Sequence, residues 1–175
     1  MSNTSDTMTL NKQLHDACGR NGNLSLAQAA VSEGADVNNL DSDGRTPIMV
    51  AMVTRQQPVI KWLLSVETLN TNIGQDVHND TCLHYACYYG CDSDIVREVV
   101  RRSEGGRVNQ VNTYHYTPVQ EAVSEGNVGA VVGMMGDERV DWGVTDKKGR
   151  SLLEMARYGM VVLCQYGIGL GYSRI

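Results

Sequence analysis

Apolar residues come in short bursts along the chain. Each burst opens on a small polar residue and gives way to a polar turn. Thr81-Cys82-Leu83-His84-Tyr85-Ala86 shows the pattern. A hydroxyl caps the first turn of a helix, and Leu83 and Ala86 share one apolar face. The pattern returns at Thr46-Pro47-Ile48-Met49-Val50-Ala51, Thr117-Pro118-Val119-Gln120-Glu121-Ala122 and Ser151-Leu152-Leu153-Glu154-Met155-Ala156, with starts 35, 36 and 34 residues apart. A fainter copy, Lys12-Gln13-Leu14-His15-Asp16-Ala17, lies 34 residues before Thr46. A fixed period of this size predicts a repeat array.

The bursts predict inner helices, and a second apolar stretch in most periods predicts an outer one. The first pair is read around Leu10 to Cys18 and from Leu24 to Glu33, with Leu24, Ala27, Ala30 and Val31 at helical spacing. Gly34 then ends the helix in a left-handed conformation. Later outer helices are read at Val59–Leu64, behind Pro58, and from Ile95 to Arg102. Pro47 suits a first helical position, where its missing N–H has no partner to lose. Gly129, Gly133 and Gly136 each cost about 1 kcal/mol against Ala and predict a weak fourth outer helix. Ser151 and Glu154 have capping-box spacing at the start of an incomplete fifth unit.

The hexad resembles the Thr-Pro-Leu-His-x-Ala signature of the ankyrin repeat, and the resemblance covers roughly Leu10 to Gly159. It implies an all-α solenoid of four to five stacked helix–turn–helix units joined by β-hairpin loops, with repeats at about 12–45, 46–80, 81–116, 117–150 and a partial one from 151. Each loop needs one residue with positive φ. Gly44 fits that place; Asn79 and His115 occupy it in the next two loops, where the family usually has glycine. Trp142 is expected to plug the gap under the last loop. Residues 1–9 read as a loose leader. Residues 160–175 form an apolar, Gly-rich tail where the family normally has a polar capping face. The tail has three readings: an improvised cap, an interface for another chain or a second copy through Val161, Leu163, Ile168 and Leu170, or a truncated array.

Composition narrows the class. The chain is 42% hydrophobic and 20% charged, enough to bury a core in its 175 residues. A formal net charge of -5 gives no electrostatic reason to expect nucleic acid. No stretch approaches the about 18 apolar residues of a membrane span, and no membrane partner is expected. Five cysteines, an odd number, with no secretory signal point to reduced thiols in the cytosol or nucleus.

Candidate chemistry is thin. Cys82, His84, Cys87 and Cys91 have metal-ligand chemistry on or near one helix. The resemblance instead makes His84 the structural histidine that bonds the cap threonine and the next repeat, and Cys87 a small buried hydrophobe. His15 takes the same slot. A Cys87–His115 nucleophile pair lacks an orienting third group. Gly167-Ile168-Gly169-Leu170-Gly171 is not followed by the helix or lysine of a phosphate loop. No catalytic, cofactor or metal residue is therefore expected.

What remains is a binding surface. The resemblance implies a non-catalytic scaffold or adaptor that meets a protein or peptide along the loop tips and the exposed face of the inner helices. The positions carried over are Asp43 and Arg45, then His78, Tyr85, Tyr88 and Tyr89, then Tyr114 and Tyr116, and finally Lys147 and Arg150. Five of eight tyrosines fall at the middle of that face. Tyrosine brings large contact area at little entropic cost. Tyr85 and Tyr116 are read equally well as packing residues between repeats. Acidic residues come early (Asp41, Asp43, Asp76, Asp80) and basic ones late (Lys147, Lys148, Arg150), an order that suits an extended partner with complementary ends or an ordinary solvated surface.

Overall fold

The computed structural model describes residues 4–19 and 22–157. Helices alternate between an inner and an outer row. The inner row is α1 (Thr4–Cys18), α3 (Pro47–Val53), α5 (Cys82–Tyr88) and α7 (Pro118–Ser124). The outer row is α2 (Leu24–Ser32), α4 (Gln57–Ser65), α6 (Ser93–Arg102) and α8 (Val128–Met134). Residues 152–157 begin one more inner helix. Each helix packs on its own pair mate and on the same-row helix of the next pair, so the array is a stack with one continuous core. The apolar face of each inner hexad enters that core: Ile48, Ala51, Leu83, Ala86, Val119 and Ala122 are all buried.

Several sequence expectations change. The segment read as a loose leader is helical from Thr4, six residues before Leu10, and Asp6 lies in the first turn, where the helix dipole favours a carboxylate. Trp142 does not plug the array: it is 41% exposed, and Val140 is buried instead. The neighbouring Asp141 N–H is pinned by Asn109 Oδ1 at 2.9 Å, which turns Val140 inward. Thr46 precedes Pro47 at the start of α3, but its hydroxyl caps nothing and has no partner among the described residues. In α5 and α7, His84 and Gln120 hold the cap threonine through a reciprocal capping box, whereas α3 has Met49 in that slot. The capping box of Ser151 and Glu154 is formed, at 2.8 and 3.4 Å.

The loops expected as hairpins are tight turns rather than ladders. Among the described residues the strand pairing is a single bridge, Thr145 to Ser151. Each tip is built by one side chain. Asp41, Asp76, Asn112 and Asp146 accept the N–H groups two and four residues ahead, at 2.8 to 3.0 Å. The fourth tip residue is left-handed in every case: Gly44 at φ 80°, Asn79 at 59°, His115 at 65° and Gly149 at 73°. At Gly44 the glycine also serves stacking, since a Cβ there would meet the Gln75 carbonyl of the next tip at 2.5 Å. On the outer side, three asparagines rivet neighbouring repeats. Asn38, Asn72 and Asn109 each donate to a carbonyl in the next unit (Thr68, Arg102, Arg139) at 2.6 to 2.8 Å. Each also accepts an N–H from that unit (Asn70, Glu104, Asp141) at 2.8 to 2.9 Å.

The fourth outer helix is short, as its glycines predict, but Gly133 has a packing reason. A Cβ at this position would come within 2.7 Å of both the Ser93 carbonyl and Val96 Cβ on α6. The glycine is what lets α8 lie against α6. The tail residues Val161, Leu163, Ile168 and Leu170 lie outside the described residues.

Candidate functional site

The middle of the inner face holds a cleft of about 400 Å³, within the size range of ligand pockets. Three elements wall it. The tip at 76–80 brings Asp76, His78 and Asp80. Helix α5 and its C-cap bring His84, Tyr85, Tyr88 and Tyr89. The next tip and α7 bring Tyr114, Tyr116, Glu121, Ser124 and Glu125. The repeat period explains the convergence. Tyr85 and Glu121 occupy the same slot of consecutive hexads, 36 residues apart, so stacking sets them side by side.

All five predicted tyrosines and His78 line this cleft. They differ in role. Tyr85 is buried and its hydroxyl donates to Asp76 Oδ2 at 2.8 Å, which pushes the phenol well above its ordinary pKa through burial and the bonded carboxylate. Tyr89 is half-buried between Tyr85 (ring centroids 5.5 Å apart) and Tyr88 (4.9 Å, edge to face). Tyr88 is 48% exposed and Tyr114 55%. The Tyr114 ring tilts against His78 at 5.3 Å, with its hydroxyl 3.4 Å from the imidazole Nδ1. Tyr116 lends its backbone: its carbonyl accepts from His84 Nε2 at 3.0 Å.

The floor of the cleft is acidic. Asn112 donates both amide hydrogens at 2.8 Å, one to Asp80 Oδ1 and one to Glu121 Oε1. One neutral side chain thus holds two carboxylates together. Their second oxygens take no donor from any described residue. Burial, reinforced by the charges of Asp80 and Glu125, lifts Glu121 to about 7. Asp80 is raised by burial and by Asp76, and Glu125 by burial. Glu125 in turn raises Tyr88. No lysine or arginine stands among the described residues that line the cleft.

The charged residues expected to join this face do not line the cleft, and Asp43, Arg45 and Arg150 are already engaged. Arg45 pairs with Asp41 and Asp43 at 2.9 and 2.8 Å, and Arg150 with Asp146 at 2.6 Å, each within its own tip. Lys147 borders a separate hollow with Val111, His115 and Val144. Sequence reasoning missed Glu121 as a site residue, although its slot is the one that singled out Tyr85 one period earlier.

The cysteine–histidine cluster does not assemble as a ligand set. His84 is buried and its ring nitrogens face Thr81 Oγ1 at 2.9 Å and the Tyr116 carbonyl. Burial lowers its pKa. Cys18, Cys82 and Cys91 are pushed up to about 12 by burial, and Cys87 rises well above its ordinary value. A thiol held protonated is a poor nucleophile and a poor ligand. Among the described residues no three His, Cys, Asp or Glu side chains converge as a metal site, and no helix is long and apolar enough to cross a membrane.

Comparison with known proteins agrees with this geometry. The chain is 32% identical over 94 residues to the ankyrin repeat and SAM domain-containing protein 6 of Rattus norvegicus, a match over 53% of this chain. It spans about a tenth of that relative's length. A family model described as ankyrin repeats (3 copies) matches residues 14–107. With the period, the Thr81–His84 cap and the stacked helix pairs in register with that match, the chain belongs to the ankyrin repeat family.

Proposed function

We propose that this chain is a non-catalytic interaction module that takes an extended segment of a partner protein in the tyrosine cleft between the second and fourth repeats. Ankyrin repeats generally mediate protein–protein interaction, and fold alone does not name a partner. The observation that carries the reading is the pair of exposed rings, Tyr88 and Tyr114, at the mouth of the cleft. Large, stiff, amphipathic side chains left half in water are the residues that dominate interface hot spots. Reduced, buried thiols favour a cytosolic or nuclear setting.

The test is the double substitution Tyr88→Ala with Tyr114→Ala. Partner capture from the native source should fall at least about ten-fold, consistent with the loss of two hot-spot side chains. Helical circular dichroism should not change. Capture at the wild-type level would remove the cleft as the docking site.

A further inference from the structure

We infer that the cleft recognises a cationic side chain, an arginine or lysine of an extended peptide, held between Tyr88 and Tyr114 with its charge on Glu121 and Asp80. The inference rests on the proposed docking site and names the chemistry of what fills it.

Three observations on the page meet here. The first is shape: the cleft of about 400 Å³ is walled by tyrosine rings and is open to solvent at Tyr88 and Tyr114. Aromatic faces attract a cation through the ring quadrupole, most strongly where water is partly excluded. The second is a charge imbalance. Asp76, Asp80, Glu121 and Glu125 all line the cleft, and no lysine or arginine among the described residues lies with them. The guanidinium whose charge reaches Tyr85 and Tyr89, that of Arg45, is already clamped by Asp41 and Asp43. The third is unused acceptor capacity. Asn112 takes one oxygen of Asp80 and one of Glu121 and leaves the other two without a donor from any described residue. Asp76 differs: its two oxygens are filled by the Tyr85 hydroxyl and by the N–H groups of His78 and Asp80. A planar guanidinium or an ammonium supplies what this pair lacks, charge-assisted donors from the solvent side. An acidic or neutral peptide would have to desolvate the carboxylates without compensating them.

Binding a cation should draw the proton from Glu121, whose carboxyl is lifted to about 7 in the free chain. Affinity then falls as pH is lowered through that value. Only the ionised form binds well, so affinity should drop about ten-fold between pH 8 and pH 6 by proton linkage. The titratable groups that share the cleft with Glu121 are Asp80, Asp76 and His78 from one tip, His84, Tyr85 and Tyr88 from α5 and Tyr89 at its cap, Tyr114 and Tyr116 from the next tip, and Glu125 beside its own helix, and the Cys87 thiol on α5 also feels the Glu121 charge. Histidines titrate in the same range, so the profile is measured in a His78→Asn background as well.

Random twelve-residue peptides displayed on phage are selected against the full chain. The enriched peptides are expected to share an arginine or lysine. Replacing that residue by citrulline or norleucine in the synthetic peptide should cost about ten-fold or more in calorimetric affinity, the loss of a charge-assisted contact. Glu121→Gln should weaken binding and flatten the pH profile, with His78→Asn leaving the profile in place. Enriched peptides that depend on Tyr88 and Tyr114 but share no cation overturn the inference and leave the docking site standing. Peptides indifferent to both tyrosines, or no enrichment at all, overturn both.

Discussion

Glu121→Gln should stabilise the protein, and only above about pH 5. The carboxyl is lifted from an ordinary 4.5 to about 7 because it is buried beside Asp80 and Glu125, with one Asn112 hydrogen bond in partial compensation. Between those values the unfolded chain gives up the proton while the folded chain keeps it. A raised carboxylate therefore contributes stability that is full below about 4.5 and is lost as pH climbs through about 7. Each tenfold change in acidity is worth about 1.4 kcal/mol, so the gap sets a ceiling of about 3 kcal/mol. Water at the cleft mouth screens part of it, and about 1–2 kcal/mol is the expected net. Glutamine keeps the acceptor that Asn112 uses and removes the charge. The assay is urea unfolding of both proteins from pH 4 to pH 8, with the difference between them plotted against pH. That difference should be near zero at the acid end and plateau above neutrality in favour of the variant. A constant difference across the range, or a variant less stable at pH 8, refutes the account of the buried carboxylates.

Other outcomes follow from the packing. Asn72→Ala strips partners from the Arg102 carbonyl and the Glu104 N–H and should cost about 1–3 kcal/mol in denaturant unfolding. Gly133→Ala should destabilise by about 1–3 kcal/mol through the clash with α6 despite better helix propensity. Gly129→Ala, with nothing nearer than 3.4 Å, should be neutral or stabilising by up to about 1 kcal/mol. In a Cys164→Ser background a thiol reagent should leave Cys18, Cys82, Cys87 and Cys91 unlabelled until the protein is denatured, since all four are buried.

The inner helices and the tyrosine cleft were legible because both follow the period. A hexad read once fixes a face, and the next hexad fixes what stands beside it. The left-handed residues Asn79 and His115 were legible for the same reason: position in the period overrode their identity. What escaped were features set by contact across repeats. The asparagine rungs are spaced 34 and 37 residues apart and sit in polar loops, where asparagine draws no notice. Gly133 looked like a weak helix former because propensity is a local property, while its clearance from α6 is not. Glu121 is hidden from a reading by residue type, because tyrosine marks the groove in one unit and a carboxylate takes the same slot in the next. Trp142 is expected under the last loop by its place in the period, but the Asn109 contact is at Asp141, and it is Val140 on the other side that is buried.

The rungs of this ladder point one way. Asn38, Asn72 and Asn109 each reach forward by one unit, as His84 reaches forward to Tyr116, and none reaches two units on. Length is therefore a free variable of the architecture. A whole period inserted at a unit boundary can inherit an incoming rung and offer an outgoing one, and the other joints keep their bonds. A half period inserted at the same point would put loops against helices and break every connection across the seam. At Gln120 the relay stops: its amide nitrogen is buried and takes no partner among the described residues. The unit after it is already in place, its tip facing Gln120 across a hollow with Val144, Asp146 and Lys147, so a unit grafted in phase would have to make its joint with the asparagine-type rungs and not with this group.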